Sequence, residues 1–291
     1  VRKTRCAVNA EMGQETTHLP DPELSQIVVI GGGPAGLEAA LAAAYRGRQV
    51  TLLERESTLG GQLKLAAGFV SKPHFQRLLD YFLDEVDRAE IQIYLDTVVN
   101  LDLIRSLQPD CLIVATGGVP RSLILDGSAP HSHVVQATEV LATRESLTGE
   151  VVVVGGGLVG LDVAEVLSTT ADRVTIIEKG SRAGSVLEWN LCKMRLASLR
   201  HYGVNIMLQS QLIRCERSAV IVCNSLEDEQ RIQADVLVLA LGSVPENPLP
   251  QLAEALSCPQ TFIGDCRNPA GLTEALGQGR LAGQMSISHN A

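Results

Sequence analysis

The chain has 291 residues, of which 45% are hydrophobic, 20% charged and 3% aromatic, and its net charge is −9. This length allows two domains, each with its own core, and the hydrophobic and charged fractions are ordinary for an α/β protein. The acidic balance, without a basic cluster, argues against nucleic acid and anionic membrane surfaces as partners. The few aromatic residues argue against a surface that stacks on bases.

The first 24 residues are polar and show no clear periodicity, so we interpret them as an N-terminal arm. They contain no charged and then apolar secretory leader. Because the chain begins at Val1 rather than Met, we expect that an upstream segment has been removed or omitted. The seven cysteines are odd in number and form no C-x-x-C pair, which favours a reducing, cytoplasmic setting over a disulfide scaffold.

The first regular element is an apolar strand over 27–30 that leads into Gly31-x-Gly33-x-x-Gly36. An Ala-rich helix is predicted over 35–46, as is typical of a helix packed tightly on a sheet. A second apolar strand, 50–53, follows and ends at Glu54, which lies 23 positions after the first glycine. This order, in which a strand, a glycine turn and a helix are followed by a strand that ends in an acid, indicates a dinucleotide-binding motif.

Each residue type in this motif has a physical reason. The first glycine allows the tight turn, the second leaves room for a diphosphate, and the third lets the helix pack closely on the strand. The helix directs its N-terminal amides and its positive dipole end at the phosphates. The acid about 20 positions further on accepts hydrogen bonds from a ribose hydroxyl.

The next segments are less specific. Apolar residues at helical spacing predict a helix over 73–89. A continuous apolar strand over 110–116, of the kind found in parallel sheets, ends in a glycine turn. Residues 121–148 contain Gly, Pro and Ser and are interpreted as a connector.

The motif then recurs 124 positions after its first copy. A strand over 151–154 leads into Gly155-x-Gly157-x-x-Gly160, and a further strand ends at Glu178, again 23 positions after the first glycine. The apolar strand 235–241 repeats the one at 110–116. Two copies predict two dinucleotides held close together, as hydride transfer between them requires. The tail predicts a strand over 261–265 and a helix over 272–286.

Together these residues resemble the two-domain flavoproteins of the glutathione reductase type. More narrowly, they resemble the C-terminal half of the family of 2,4-dienoyl-CoA reductase, NADH:flavin oxidoreductase and trimethylamine dehydrogenase. The segments that carry the resemblance are Cys6-Ala7-Val8-Asn9 with Gly13 and Glu15, Gly31–Glu38, Glu54 with Leu59-Gly60-Gly61-Gln62-Leu63, Ala115-Thr116-Gly117, the second glycine loop and Ile263-Gly264-Asp265.

The resemblance implies an α/β fold with two Rossmann-like dinucleotide-binding domains, the second inserted in the first. It divides the chain into an arm, 1–24, an FAD-binding domain, 25–124 with 258–291, and an NAD(P)-binding domain, 125–257. The arm would follow a missing barrel and iron–sulfur region.

The resemblance also implies which residues bind the cofactors. Those expected at FAD are Gly31, Gly33, Pro34, Ala35, Gly36, Glu54, Arg55, Gly61, Gln62, Leu63, Ala115, Thr116, Gly117, Gly264 and Asp265. Those expected at NAD are Gly155, Gly157, Leu158, Val159, Gly160, Glu178, Lys179 and Gly242. The intact Gly264-Asp265 pair favours FAD over ADP alone. Glu178 favours NADH over NADPH, because a carboxylate repels a 2′-phosphate, although Lys179 and Arg182 lie nearby.

Members of this family carry an N-terminal barrel with FMN and a 4Fe-4S cluster held by four cysteines. The barrel is absent from this chain, and Cys6 resembles the fourth cluster ligand, whose three partners would lie upstream. One thiolate cannot hold such a cluster, so Cys6 is either an orphaned ligand or an ordinary thiol, and the resemblance favours the first interpretation.

The function implied is an oxidoreductase module that passes hydride between NAD(P)H and FAD, within a larger enzyme of the dienoyl-CoA reductase type. An upstream FMN barrel or an acceptor protein would receive the electrons. No catalytic side chain is expected, because the cofactors carry the chemistry. Two alternatives stay open: the electron-transfer part of an N-methylated-amine dehydrogenase or demethylase with FAD or structural ADP, and a non-catalytic nucleotide-binding scaffold.

Three weaker signals have simpler interpretations. His131-Ser132-His133 could be a metal pair, but a solvated loop is favoured because no partner cluster accompanies it. Trp189 could approach a nicotinamide, and packing between the two domains explains it at least as well. The acidic run 227–229 is interpreted as a solvated hairpin turn.

Overall fold

The computed structural model describes Cys6, Asn9 and Met12 and residues 25–69, 72–123, 131–144, 146–246 and 256–285. The arm predicted over 1–24 therefore lies almost wholly outside the described residues, as do Gly13 and Glu15. The chain divides into two compact units. Unit 1 comprises residues 1–119 and 243–291, and unit 2 comprises residues 120–242.

Unit 1 is built on a five-stranded parallel sheet. Its strands are β1 (Gln26–Ile30), β2 (Gln49–Leu53), β3 (Gln92–Tyr94), β4 (Cys111–Val114) and β15 (Gln260–Phe262). They lie in the order β15-β4-β1-β2-β3, with β1 in the centre. The central strands are buried on both faces, as their continuous apolar sequences predict.

The helices of unit 1 include the one predicted over 73–89, which the structure confirms. They are α1 (Pro34–Ala44), α2 (Leu63–Ala67), α3 (Pro73–Arg88), α4 (Leu101–Leu107) and α8 (Leu272–Gln284). The main apolar core of the unit includes residues of β1, β2, α1, α3 and α8. A second apolar cluster forms around Ile104 of α4.

A short two-stranded sheet completes unit 1. It pairs β5 (Gly118–Pro120) with β14 (Ser243–Pro245). These strands occur where the chain leaves unit 1 after β4 and where it returns to it. A single 3₁₀ turn, Gly264–Cys266, follows β15, so the strand predicted over 261–265 ends earlier than expected.

Unit 2 contains a second five-stranded parallel sheet. Its strands are β6 (Val134–Gln136), β7 (Glu150–Val154), β8 (Arg173–Ile177), β9 (Asn205–Met207) and β13 (Val236–Leu239). Their order is β6-β13-β7-β8-β9, which places β7 in the central position that β1 has in unit 1. The helices of this unit are α5 (Ala137–Thr143), α6 (Leu158–Leu167) and α7 (Trp189–His201).

An antiparallel sheet is the second layer of unit 2. It consists of β10 (Ser210–Glu216), β11 (Ala219–Asn224) and β12 (Glu229–Gln233). Its apolar face packs on the parallel sheet in one core, in which Leu212 and Val222 meet Val152 and Leu237. The turn between β11 and β12 contains Glu227 and Asp228, which are exposed, so the predicted hairpin turn is confirmed.

Two expectations were wrong. The segment 121–148 is not merely a connector, because β6 and α5 lie within it and β6 pairs with β13. His131 is not in a solvated loop: its side chain is buried, its Nε2 lies 2.9 Å from the carbonyl oxygen of Ala234, and its Nδ1 accepts a hydrogen bond of 3.2 Å from the His133 nitrogen. These hydrogen bonds give the imidazole a structural role at the entry to β6.

No helix among the described residues combines the length and the apolar character that crossing a bilayer requires.

Two glycines allow α8 to approach α1 closely. A Cβ atom added at Gly279 would lie 2.4 Å from the carbonyl oxygen of Ala35, and one added at Gly283 would lie 2.3 Å from that of Ala39. Both distances are shorter than van der Waals contact with backbone atoms. Since α1 carries the first glycine loop at its N-terminus, this contact fixes the helix that positions the loop.

We therefore expect Gly279→Ala to destabilise the protein by about 2 kcal/mol, the usual cost of forcing extra atoms into a packed interior. Gly277→Ala is the matched control, because a Cβ atom there meets no described atom within 4 Å. Because alanine favours the helix more than glycine does, Gly277→Ala should raise the free energy of unfolding by up to about 1 kcal/mol. Urea unfolding followed by circular dichroism measures both effects. Equal stabilities for the two variants would contradict the role given to the contact.

Candidate functional site

The candidate site of unit 1 lies at the carboxyl ends of β1, β2 and β4. In parallel sheets this edge is where ligands bind. The first glycine turn begins there directly after β1. Gly31 has φ +103°, and a Cβ atom on it would lie 2.3 Å from the carbonyl oxygen of Ala115. A Cβ atom on Gly36 would lie 1.9 Å from the carbonyl oxygen of Gly31. Both positions therefore require glycine for packing.

Gly33 differs from the other two glycines of the loop. A Cβ atom on it meets no described atom within 4 Å, and its φ of −76° suits any residue. Packing among the described residues therefore does not explain why this position lacks a side chain. Open space here is what the close approach of a diphosphate to the backbone requires.

The N-terminus of α1 is open as well. Gly33 is the N-cap residue, Pro34 follows it, and no side chain of the described residues caps the helix. The first-turn amides of Ala35 and Gly36 therefore remain available to an anion, and the helix dipole favours one at this point.

The Glu54 side chain is fixed by backbone amides. It is buried, and its Oε2 accepts a hydrogen bond of 2.6 Å from the Gly32 nitrogen, while Oε1 accepts one of 2.9 Å from the Glu56 nitrogen. The carbonyl of Gly32 in turn accepts a bond of 2.8 Å from the Gly60 nitrogen. The second residue of the glycine turn is thus held on both sides. Each carboxylate oxygen has further acceptor capacity for a ligand hydroxyl.

The segment after Gly60 lies against the turn. A Cβ atom on Gly61, which has φ +49°, would lie 2.9 Å from the Cα atom of Gly33. The Gln62 side chain reaches the carbonyl oxygen of Gly118 at 3.3 Å, and Leu63 is buried as the first residue of α2. The structure therefore places Gly61 against the first loop and Gln62 beside the segment that follows β4.

The turn after β4 forms the opposite side of the site. The Ala115 nitrogen donates to the carbonyl of Ile30 at 2.8 Å, and the Thr116 hydroxyl donates to the carbonyl of Glu246 at 2.6 Å. Gly117 follows with φ +79°. Sequence analysis did not identify Glu246, which lies just after β14.

Gly264 and Asp265 complete this site. Gly264 has φ +67°, and its nitrogen donates to Oε1 of Gln278 on α8 at 2.8 Å. Asp265 is half-buried and accepts a bond of 3.0 Å from the Ala270 nitrogen. Gln278 was also missed by sequence analysis, because nothing in its neighbourhood signals the contact.

Unit 2 repeats the geometry of the first loop. Cβ atoms on Gly155 and Gly160 would lie 2.3 Å from the carbonyl oxygen of Ala240 and 1.9 Å from that of Gly155. Gly157 has open space around it, as Gly33 has. The helix that follows, α6, likewise has no side-chain cap among the described residues.

Glu178 repeats the arrangement of Glu54. Its Oε2 accepts a bond of 2.7 Å from the Gly156 nitrogen, and its Oε1 accepts one of 2.5 Å from the Gly180 nitrogen. The carbonyl of Gly156 accepts a bond of 2.7 Å from the Gly184 nitrogen. Glu178 is half-buried, whereas Glu54 is buried.

The equivalence of Gly60 and Gly184 was missed, although the sequence contains a signal for it. Each follows the first glycine of its loop by 29 positions. Both have positive φ, and each fixes the second residue of its turn. The repeat therefore includes this contact as well as the glycine loops and the acids.

The remaining predicted residues of unit 2 surround its loop. Leu158 and Val159, in the first turn of α6, are 42% and 39% exposed, which is high for apolar side chains. Lys179 is exposed, and Gly242 has φ +78° with no described atom within 4 Å of an added Cβ. Arg182 donates to the carbonyl oxygen of Ser185 at 2.6 Å, so its guanidinium is engaged within its own loop.

No metal centre occurs among the described residues, in which no group of three or more His, Cys, Asp or Glu side chains could hold an ion. Cys6 is half-buried, and the residues on both sides of it lie outside the described part of the chain. A role for Cys6 as a cluster ligand therefore stays a prediction.

Comparison with known proteins agrees with this geometry. The chain is 34% identical over 285 residues to a bilirubin reductase of Mediterraneibacter gnavus, covering 95% of this chain and 43% of that protein. It is 31% identical over 284 residues to an NADH oxidase of Thermoanaerobacter brockii, covering 95% and 44%. The structure superposes on a 2-naphthoyl-CoA reductase with a TM-score of 0.87 and 26% identity, covering 99% of this chain and 44% of that one.

The chain thus spans less than half the length of these relatives. Residues 25–264 match the family described as pyridine nucleotide-disulphide oxidoreductase. This match covers both glycine loops, both acids and the strand that precedes Gly264. The chain therefore belongs to the pyridine nucleotide-disulphide oxidoreductase family, and it is an oxidoreductase module of the kind that uses FAD and NAD(P)H.

Proposed function

We propose that unit 1 binds FAD, that unit 2 binds NADH, and that the module passes a hydride from the nicotinamide to the flavin. The observation that carries this proposal is the duplicated site. In each unit an acid and a glycine fix the second residue of the turn, while the position after it is open. A turn that only had to fold would not need the open glycine.

FAD, when bound, supplies the flavin ring that accepts the hydride. The protein supplies binding and orientation. In unit 1 the amides of Ala35 and Gly36 would hold the diphosphate, and Glu54 would accept a bond from a ribose hydroxyl. Gly117 and Gly264, which also have positive φ, would let the backbone approach the cofactor from the ends of β4 and β15. The other residues proposed at FAD are Gly31, Gly33, Pro34, Arg55, Gly61, Gln62, Leu63, Ala115, Thr116 and Asp265.

In unit 2, Glu178 would bind the ribose hydroxyls of NADH and disfavour a 2′-phosphate. Its carboxylate is directed by two backbone amides, so its negative charge stays at the end of β8. The other residues proposed at the nucleotide are Gly155, Gly157, Leu158, Val159, Gly160, Lys179 and Gly242. The FAD site is proposed for unit 1 and the NAD(P) site for unit 2. The limits of the two units, 1–119 with 243–291 and 120–242, differ from the predicted 25–124 with 258–291 and 125–257 in grouping residues 243–257 with the FAD site.

The whole protein is proposed to be a larger flavoenzyme of the dienoyl-CoA reductase type. The relatives are more than twice as long as the segment that this chain matches. An FMN barrel or an acceptor protein would take up the electrons, and Cys6 would serve as the fourth ligand of a 4Fe-4S cluster. The described residues alone do not provide a cluster site, so no electron-transfer step is assigned to one.

An absorption spectrum of the purified chain, before and after anaerobic addition of NADH, tests the proposal. We expect visible flavin bands that bleach when NADH is added. Flavin bands that persist would exclude reduction by NADH and favour the amine dehydrogenase alternative. Released ADP without flavin would favour a nucleotide-binding scaffold.

Substitution of the two open glycines separates the two sites. Gly33→Ala should fold normally, because its Cβ meets no described atom within 4 Å, yet it should weaken FAD binding at least tenfold by blocking the diphosphate. Gly157→Ala should retain the flavin, but NADH should no longer reduce it. Equilibrium titration with FAD and stopped-flow reduction measure the two effects, and each variant serves as the control for the other. Unchanged FAD affinity in Gly33→Ala would contradict the assignment.

Glu178→Ala should lower the preference for NADH over NADPH by about tenfold, since one charge-assisted interaction is lost and one repulsion is relieved. The substitution also removes two hydrogen bonds from the turn, which would weaken both nucleotides alike. The ratio of kcat/KM values for NADH and NADPH is therefore the measurement. An unchanged ratio would argue that Glu178 has only a structural role.

A further inference from the structure

An ion pair joins two distant segments of unit 1 beside the proposed FAD site. Arg55 Nη1 lies 2.7 Å from Oε1 of Glu246. The residues are 191 positions apart, and the hydrogen bond that Arg55 donates to Glu246 raises the pKa of the Arg55 guanidinium. The Glu246 side chain is only 24% exposed, whereas that of Arg55 is 55% exposed.

The pair crosses the glycine turn. Arg55 follows β2 after one intervening residue, while Glu246 is bound to the turn after β4. Its nitrogen donates to the carbonyl of Gly117 at 3.0 Å, and its carbonyl accepts from the Thr116 hydroxyl at 2.6 Å. Since β1 lies between β2 and β4, a bond between these two segments passes over the carboxyl end of β1. The first glycine turn starts at that end.

Glu246 also has an incomplete set of hydrogen bonds. Its second carboxylate oxygen, Oε2, is shielded from solvent and has no hydrogen-bond partner among the described residues. A shielded carboxylate oxygen without a donor is costly. The bond from Arg55 to Oε1 therefore has to compensate for the burial of the whole carboxylate.

We propose that Glu246 is a positioning residue of the FAD site that acts through Arg55. The pair forms a strap across the end of β1 and holds the dinucleotide in the crevice below. This inference rests on the proposed binding of FAD to unit 1. It adds Glu246 to the FAD site, although this residue lies outside the glycine loop, the acid and the other motifs that define the site.

The rate of FAD release tests the strap without any assay of turnover. Glu246→Gln and Arg55→Gln should each release FAD about threefold faster, the factor typical of a partly exposed ion pair. In the Arg55→Gln background, Glu246→Gln should have no further effect, because the two residues act as one unit. Release is followed by the rise of flavin fluorescence after dilution. Raising the salt concentration should accelerate release from the unaltered protein more than from the variants.

A second ion pair of the chain provides the matched control. Arg231 and Glu216, on β12 and β10 of unit 2, lie 2.8 Å apart with side chains 55% and 36% exposed. Arg231→Gln and Glu216→Gln should leave FAD release unchanged. The proposal would be contradicted if the effects of the Arg55 and Glu246 substitutions on the rate of FAD release multiplied in the double variant. It would also be contradicted if Glu246→Gln left that rate unchanged. If the unaltered chain held no FAD at all, the proposed function would fail instead.

Discussion

The backbone of Gly32 is held from both sides, since its nitrogen donates to Glu54 and its carbonyl oxygen accepts from Gly60. This restraint sets the path of the chain between β1 and α1, and the contact of Gly36 with Gly31 sets how closely the helix follows. The helix N-terminus and the open position at its start depend on both contacts. Unit 2 builds the same restraint from its own residues, which is why the two sites can be compared atom by atom.

The acids in these restraints have two physical roles. A carboxylate at the edge of a buried strand loses hydration, and backbone amides compensate for that loss by donating to each oxygen. The side chain is then held in one orientation before any ligand arrives, which reduces the entropy that binding must overcome. Glu54 is more buried than Glu178. This difference fits the proposed assignment of a resident cofactor to unit 1 and an exchanging nucleotide to unit 2.

Much of this organisation could be predicted from the sequence, because the glycine loops, the parallel strands and the acids follow local rules of spacing. The strand β6 and the buried His131 could not, since their partners on β13 and at Ala234 are about 100 positions away. Glu246 reaches the site only through β14, and its contacts with Arg55 and Thr116 join residues more than 100 positions apart. The sequence around such residues carries no periodic or compositional signal of the contact.

The order in which unit 1 is assembled follows from its discontinuous chain. The strand β15 and the helix α8 that packs on α1 lie beyond residues 120–242, so the ribosome makes them only after all of unit 2. Until then β4 has an unpaired edge and α1 an uncovered apolar face. At usual rates of elongation this interval lasts on the order of ten seconds. Unit 2 can fold within that time, whereas the nucleotide site proposed for unit 1 is completed only after unit 2 has been made.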